Sequence, residues 1–271
     1  MAFVEHDEGK IWYQVTGSGQ PIVLSGGFGL LHNQWDFVRD LLATEYQVID
    51  WNYRGAGKSE RSWPGGLYSQ ESWVDDLETV LAHLGLNNVV LWGTSTGSPL
   101  SIRYTAKYQR RVKALITYPM FKADAGFRQA FDGFRSIGEM FGYEALACLT
   151  SWIGCAQENL FTAKQGELAK WEAECFAANF SLETMGETMR IVTTNDLSGD
   201  LPKIQVPCHL LMGRSGNLGY DSPGNRQLAD EFQTLVTHAT LDVIEGGGGT
   251  YCMIETPDTT AEAVKRYIAS L

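Results

Sequence analysis

A short run of small residues, Gly93-Thr94-Ser95-Thr96-Gly97, has the composition and spacing of a nucleophile site. The apolar segment 89–92 comes directly before it, and a helix-forming segment extends from it to about residue 108. Small residues let the chain turn sharply enough between a buried strand and a helix to expose a serine hydroxyl above the helix N-terminus. Backbone N–H groups at such a turn can stabilise the charge that develops on a carbonyl oxygen. The pattern therefore predicts that Ser95 is a nucleophile.

The elements that must position Ser95 are strands and helices that alternate along the chain. Short apolar runs bounded by turn residues predict buried parallel strands at 22–25, 46–51, 89–92, 112–118, 208–212 and 241–244. Helical spacing predicts helices between these strands, and Ser69 and Gly85 are the expected start and stop signals of one of them. Such an alternation with short links predicts a doubly wound parallel sheet, with Ser95 at the carboxyl end of its strands.

The alternation stops between residues 120 and 201, where no strand-like run occurs. Aromatic residues and methionine are frequent there among helix formers, namely Phe127, Phe131, Phe134, Met140, Phe141, Trp152, Phe161, Trp171, Phe176 and Phe180. We interpret this stretch as a helical layer inserted over the sheet, with an ordinary extension of the core as the alternative.

With these motifs the sequence resembles the α/β-hydrolase family along nearly all of its length. VLSGGFGLLHNQW is similar to the family's first oxyanion-hole loop, and IDWNYRGAGKS is similar to its Asp-x-x-Gly-x-Gly-x-Ser segment. The resemblance implies an α/β-hydrolase fold, with a mainly parallel, doubly wound sheet of about eight strands. It implies a core made of 1–119 and 202–271 with an inserted helical lid at 120–201, and the N–H groups of Phe28 and Thr96 as the oxyanion hole.

Two positions that complete the family's catalytic triad hold glycine in this sequence. In VIEGGGGTYCMIETPD, the Ile-Glu-x-Pro register places Gly249, or alternatively Thr250, where the family has its histidine. In LLMGRSGNLGYDSPG, Gly216 stands at the expected aspartate. A serine hydroxyl is a weak nucleophile unless a base takes its proton, so we expect Ser95 to react slowly. Because both replacements are glycines within glycine-rich loops, they favour a natural departure from the triad over an engineered knock-out.

Three other side chains are candidates for a substitute base or acid. His32 follows the oxyanion loop and is the histidine best placed to reach the pocket, although a polar residue at a helix start is the simpler interpretation. Asp221 lies five residues past Gly216 on the same loop, and Asp124 lies some residues after the strand that follows the serine helix.

The composition narrows the classes of partner and location. The 44% hydrophobic fraction of the 271 residues suffices for a sizeable core. The net charge of −11 argues against nucleic acid and against a membrane surface as partners. We recognise no signal peptide and no metal or nucleotide motif, and the five cysteines are scattered, so we expect a cytoplasmic protein without cofactor or metal. A homodimer is left open.

Three functions fit these residues. The first is a hydrolase or acyl transferase that uses Ser95 covalently on an apolar ester, lactone or thioester. The second is a cyclase, isomerase or lyase that polarises a carbonyl in the same pocket without a proton relay, since one fold hosts many chemistries. The third is a ligand-binding protein without turnover. In each case we expect an apolar small molecule in a pocket lined by Ser95, Phe28, Thr96 and aromatic residues such as Trp152.

Overall fold

A computed structural model describes residues 2–7, 9–62 and 69–271, and eight strands in these residues form one sheet. The strands are β1 (Ala2–His6), β2 (Gly9–Thr16), β3 (Gln20–Ser25), β4 (Tyr46–Trp51), β5 (Val89–Gly93), β6 (Val112–Thr117), β7 (Cys208–Ser215) and β8 (Thr240–Gly248). Their order is β1-β2-β4-β3-β5-β6-β7-β8, in which all pairings from β4 to β8 are parallel. The predicted mainly parallel, doubly wound sheet is confirmed.

The antiparallel pair β1 and β2 at one edge of the sheet was not identified from the sequence. Charged residues interrupt this segment, and β1 has a single buried side chain, Val4. Short edge strands carry such charges because they discourage pairing with other chains, and the same charges conceal the strand in a hydrophobicity pattern.

Helices cover both faces of the sheet. They are α1 (Arg39–Ala43), α2 (Gln70–His83), α3 (Gly97–Lys107), α4 (Ala125–Gly154), α5 (Ala163–Asn179), α6 (Leu182–Thr193), α7 (Pro223–Leu235), α8 (Cys252–Glu255) and α9 (Pro257–Ala269). Helices α2, α3 and α7 pack on one face, whereas α1, α8 and α9 pack on the other. Successive residues of the parallel strands point to opposite faces of the sheet. Val23 and Leu91 therefore pack on the face covered by α2, α3 and α7, whereas Leu24 and Trp92 pack on the face covered by α1, α8 and α9.

The predicted signals at the two ends of α2 are confirmed. The Ser69 hydroxyl accepts a hydrogen bond from the Ser72 amide at 3.0 Å, which caps the start of the helix. Gly85 follows the end of the helix with a φ of 64°, a left-handed conformation that glycine adopts at low cost. In the described parts of the chain, no helix combines the length and the apolar character that crossing a membrane requires.

Helices α4, α5 and α6 occupy most of the stretch between residues 120 and 201. An isolated antiparallel bridge between Lys122 and Asp196 brings the two ends of this stretch together. Gly142, with a φ of 84°, interrupts α4 and divides it into two helical pieces. The domain boundaries at 119/120 and 201/202 stay a prediction.

A buried ion pair fixes the loop after β4 to α2. The Arg54 guanidinium donates hydrogen bonds of 2.6 to 3.1 Å to both carboxylate oxygens of Asp76, and the Arg54 amide donates to the same carboxylate at 2.9 Å. Asp76 has no exposed side-chain surface and Arg54 has 4%. Removing one partner of such a pair leaves an uncompensated buried charge, which is costly.

We expect the substitution Arg54→Leu to lower the free energy of unfolding by about 3–5 kcal/mol, because Asp76 would stay buried without its cation. Urea unfolding followed by circular dichroism measures this difference. The matched control is Arg266→Leu, which breaks the exposed pair with Asp242 and should cost less than about 1 kcal/mol. Equal losses in the two variants would contradict a structural role for the buried pair.

Candidate active site

Ser95 lies in the tight turn between β5 and α3, as its motif predicts. Its φ of 51° is in the left-handed region, which is rare for a residue with a side chain and marks a strained turn. The turn fits because its flanking glycines touch other backbone. A Cβ at Gly97 would stand 2.0 Å from the Ser25 carbonyl oxygen, and one at Gly93 would stand 2.4 Å from the Gly97 oxygen. The small residues therefore allow β3, β5 and α3 to meet at this point.

The loop that follows β3 passes directly beside Ser95. A Cβ placed on Gly27 would stand 2.9 Å from the Ser95 Cβ and 3.4 Å from its Oγ. Neither the Phe28 amide nor the Thr96 amide donates in the loop and turn hydrogen bonds of the described residues. The Thr96 side chain is buried. Both amides thus remain the predicted oxyanion donors.

Asn179 at the end of α5 holds the loop that carries Phe28. Its buried side-chain amide donates to the Gly29 carbonyl at 2.8 Å and to the Asn33 side chain at 3.0 Å. The backbone carbonyl of Asn179 accepts a hydrogen bond from the Gly57 amide at 2.8 Å. Sequence reasoning did not identify Asn179, because no local motif signals a contact across 150 residues of chain.

A cavity of about 190 Å³ lies over Ser95. Its apolar wall consists of Phe28, Leu30, Met120, Phe127, Ala130, Phe131, Phe134, Ile153 and Leu218. Five side chains add polar atoms, those of Gln34, Ser95, Thr150, Thr250 and Tyr251. The wall includes aromatic residues of the inserted helices, as expected. The expectations that Trp152 and Thr96 line the cavity are wrong, because both residues lie outside the lining, Trp152 being 38% exposed and Thr96 buried. The neighbours of Trp152 along α4, Ile153 and Gly154, line the cavity instead.

The two glycines at the predicted triad positions, Gly249 and Gly216, are enclosed by backbone. A Cβ at Gly249 would stand 1.8 Å from the Leu218 carbonyl oxygen. A Cβ at Gly216 would stand 2.3 Å from the Cys155 carbonyl oxygen, and Gly216 has a φ of 83°. The Tyr118 hydroxyl donates to the same Leu218 oxygen at 2.8 Å, so the loop is tied in this place. Neither position has room for a catalytic side chain.

His32 does not line the cavity. Its ring packs against Trp12 with a centroid distance of 4.9 Å, and 5% of the residue is exposed. Burial, together with the positive charges of Lys58 and Arg39, lowers the pKa of His32 to about 3. The imidazole is therefore neutral and a poor proton acceptor. The structure favours the structural interpretation of His32 over its role as a substitute base.

The two candidate acids also lie outside the cavity lining. The exposed Asp221 carboxylate pairs with Arg214 at 3.3 Å and with Arg226 at 3.4 Å. Asp124 caps the start of α4 by accepting a hydrogen bond from the Phe127 amide at 2.7 Å. Both carboxylates are engaged in surface structure, and neither is positioned to act on Ser95.

Thr250 and Tyr251, which follow the vacated histidine position, line the cavity. The Tyr251 ring packs so closely that a Cβ on Gly154 would stand 2.5 Å from it. The alternative register that placed Thr250 at the histidine position thus puts a hydroxyl at the cavity wall. A hydroxyl of threonine or tyrosine cannot act as the imidazole of a triad does, because it is a far weaker base at neutral pH.

A buried carboxyl, Glu172 of α5, lies behind these hydroxyls. The Thr150 hydroxyl is 2.5 Å from Glu172 Oε2, and the Tyr251 hydroxyl lies beside the same carboxyl. Burial raises the pKa of Glu172 to about 8, and the two hydroxyls offset part of the rise. Burial also raises the pKa of Tyr251, so both groups are mainly neutral at pH 7. Neither residue stood out in the sequence, since a single glutamate on a helix is ordinary.

The cavity combines a serine turn with a largely apolar wall. Among the described residues, the Ser95 hydroxyl has no hydrogen-bond partner, and no histidine, aspartate or glutamate lines the cavity. What the site does provide is a strained serine turn, a largely apolar wall and two backbone amides, those of Phe28 and Thr96, that donate in none of the described loop and turn hydrogen bonds. Such donors act on developing negative charge without needing a base.

Comparison with known proteins agrees with this geometry. A model of a family described as alpha/beta hydrolase fold matches residues 22–118, which include Phe28 and Ser95. A putative non-heme chloroperoxidase of Synechocystis sp. is 40% identical over 113 residues, a match that spans 41% of this chain and 40% of that protein. A non-heme haloperoxidase of Rhodococcus erythropolis is 27% identical, with 97% of both chains covered.

Solved structures share the fold at low sequence identity. An alpha/beta hydrolase enzyme from a Medee basin deep-sea metagenome library superposes with a TM-score of 0.84 at 20% identity, covering 99% of this chain and 97% of the other. An esterase from Exiguobacterium antarcticum has a TM-score of 0.84 at 22% identity, with 98% of both chains covered. The chain therefore has the α/β-hydrolase fold, and its segment 22–118 is similar to that family's model.

Proposed function

We propose that this protein is an enzyme that binds a compact apolar carbonyl compound over Ser95 and polarises its carbonyl without a histidine relay. The observation that carries the proposal is the composition of the cavity. The serine turn, the Phe28 loop and the aromatic wall converge on it, whereas the position of the family's histidine is closed by the Leu218 carbonyl. This favours cyclase, isomerase or lyase chemistry, in which an oxyanion forms and collapses without an acyl-enzyme.

The size of the cavity limits the substrate. An apolar cavity of about 150 Å³ accommodates a benzene molecule. The volume of about 190 Å³ over Ser95 therefore suits one ring with a short carbonyl substituent. We propose that α4, α5 and α6 act as the lid over this ligand, because Phe127, Phe131 and Thr150 of α4 complete the wall.

A second candidate, slow hydrolysis or acyl transfer through Ser95, is favoured by the strained turn. The φ of 51° at Ser95 is a strained conformation that destabilises the turn, and an ordinary strand-to-helix turn does not require it. Relatives named for esterase and lactonase activity share the fold. In this chemistry the Ser95 proton has no side-chain acceptor in the cavity, so the acylation step is slow.

The first test uses carbonyl-labelled propiophenone, a phenyl ketone of the size that the cavity accommodates. We expect the infrared carbonyl stretch of the bound ketone to fall below its frequency in water, because two preorganised N–H groups polarise the carbonyl. Substitution of the exposed Trp152 by phenylalanine is the control and should leave the shift unchanged. A bound ketone whose stretch equals that in hexane would contradict the proposal.

The second test separates the two candidates by the reactivity of Ser95. A fluorophosphonate should label the protein at a rate that is smaller by about 10³ or more than that of an intact Ser-His-Asp enzyme, since loss of triad members costs up to ~10⁶. Intact-protein mass spectrometry measures the rate, with Ser95→Ala as the unlabelled control. Rapid stoichiometric labelling that Ser95→Ala abolishes would establish the covalent candidate.

Glu172 provides a test of the ionisation state of the site. An acid whose pKa is higher in the folded than in the unfolded protein binds its proton more tightly when folded. Stability is then greatest below the unfolded pKa of about 4.5 and falls until the pH passes the folded pKa of about 8. Between pH 5 and pH 8 we expect the free energy of unfolding to decrease by an amount on the order of a few kcal/mol more in the native protein than in Glu172→Gln.

Urea unfolding at the two pH values measures the difference. Glu174→Gln, on the exposed side of the same helix, is the matched control and should keep the native pH dependence. If Glu172→Gln has the same pH dependence as the native protein, the carboxyl is already ionised at pH 5 in the folded state.

A further inference from the structure

Gln34 is a buried side chain whose amide nitrogen has no hydrogen-bond partner within the described protein. It lies in the 3₁₀ segment Leu31–Phe37 and is 2% exposed. The unpartnered buried atom is Nε2. Leaving a buried polar group unsatisfied costs about 1–3 kcal/mol, so such groups are rare unless something else binds them.

The position of this amide is next to Ser95. Gln34 lines the cavity, and its Oε1 is 3.2 Å from the point where a Cβ on Gly27 would stand. The Ser95 Oγ is 3.4 Å from the same point. The Oε1 atom of Gln34 and the Ser95 hydroxyl therefore lie close to each other beside Gly27 at the cavity wall.

The segment that carries Gln34 is closely packed on both sides. Its neighbour Trp35 is fully buried and packs on Trp92 with a ring-centroid distance of 4.8 Å. Leu31 is also buried, on the other core cluster. A side chain that emerges from such a segment presents its amide in a fixed direction, which is what selective binding requires.

We propose that Gln34 is a specificity-determining residue that hydrogen-bonds a second polar group of the substrate, adjacent to the carbonyl held over Ser95. This inference rests on the proposed function. A carboxamide offers one acceptor oxygen and two donor hydrogens, so it pairs with a hydroxyl, an amide or a second carbonyl. The substrate class is accordingly a compact apolar carbonyl compound that bears a hydrogen-bonding group on the neighbouring atom, such as an α-hydroxy ketone.

The expected selectivity follows from the unpaired amide of Gln34 in the ligand-free cavity. A ligand that lacks the second polar group leaves the Gln34 amide buried and unpaired, whereas a ligand that has it satisfies the amide. Sites built to hydrogen-bond a substrate discriminate strongly against an analogue without the matching group.

Two ketones of nearly equal shape test the proposal. 2-Hydroxyacetophenone carries a hydroxyl where propiophenone carries a methyl group. We expect the native protein to bind the hydroxy ketone more tightly, on the order of tenfold, in titration calorimetry. Gln34→Met retains the length and shape of the side chain without hydrogen-bonding atoms, and it should abolish the preference.

Gln70→Met is the matched control. Gln70 is likewise a buried glutamine without a described hydrogen-bond partner, but it lies outside the lining of this cavity. Its substitution should leave the preference for the hydroxy ketone at the native value. Loss of the preference in both variants would show a general effect of destabilisation and would overturn the proposal.

A measurement on the native protein covers the case in which Gln34→Met does not fold. The side-chain amide resonances of Gln34 should shift on addition of 2-hydroxyacetophenone and shift much less with propiophenone. Equal affinities of the native protein for both ketones would overturn the role of Gln34 and leave the proposed function intact. If neither ketone binds, the proposed function fails and this inference fails with it.

Discussion

The site depends on the contact between three backbone segments beneath Ser95. Ser25 and Gly93 are paired neighbours at the ends of the parallel strands β3 and β5, and Gly97 touches the Ser25 carbonyl. A side chain larger than hydrogen at Gly97 would separate these segments. Because they meet, the loop after β3 lies directly beside the turn after β5 that carries Ser95. The close contact of β3, β5 and α3 thus requires the order of these strands, the glycines between them and the strained conformation of Ser95.

The inserted helices also position the Phe28 loop and the polar part of the cavity wall. Asn179 reaches from α5 to the Gly29 carbonyl, and Glu172 of the same helix lies behind Thr150 and Tyr251 at the cavity wall. Buried polar contacts of this kind are specific in direction, whereas the aromatic packing around them tolerates adjustment. A displacement of α5 would therefore alter the Phe28 loop and the polar end of the cavity together.

The sequence predicted the parts of the site that local patterns encode. The turn at Ser95 and six strands of the sheet follow from short-range rules of spacing and turn chemistry, and the fold class follows from their order. The charged edge strand β1 lacked such a pattern.

The residues that sequence reasoning missed are defined by tertiary surroundings. Gln34 and Glu172 are ordinary residues until the folded structure buries them, and burial is what makes an amide unpaired or a carboxyl neutral. His32 was judged by its position in the chain, shortly after Phe28 of the oxyanion loop. Its actual environment of Trp12 and two cations depends on residues far from it in sequence. Distance along the chain was a poor guide to which face of the segment the ring occupies.

The contact between Gly249 and the Leu218 carbonyl limits the substitutions that this part of the cavity wall accepts. Leu218 accepts a hydrogen bond from Tyr118, and the Gly249 carbonyl accepts one from the Gly213 amide, so the two loops are anchored against each other. A histidine introduced at Gly249 alone would collide with the Leu218 carbonyl, whatever its rotamer, because the first side-chain atom already has no room. Any redesign that places a larger side chain there must therefore move the Leu218 loop in the same step.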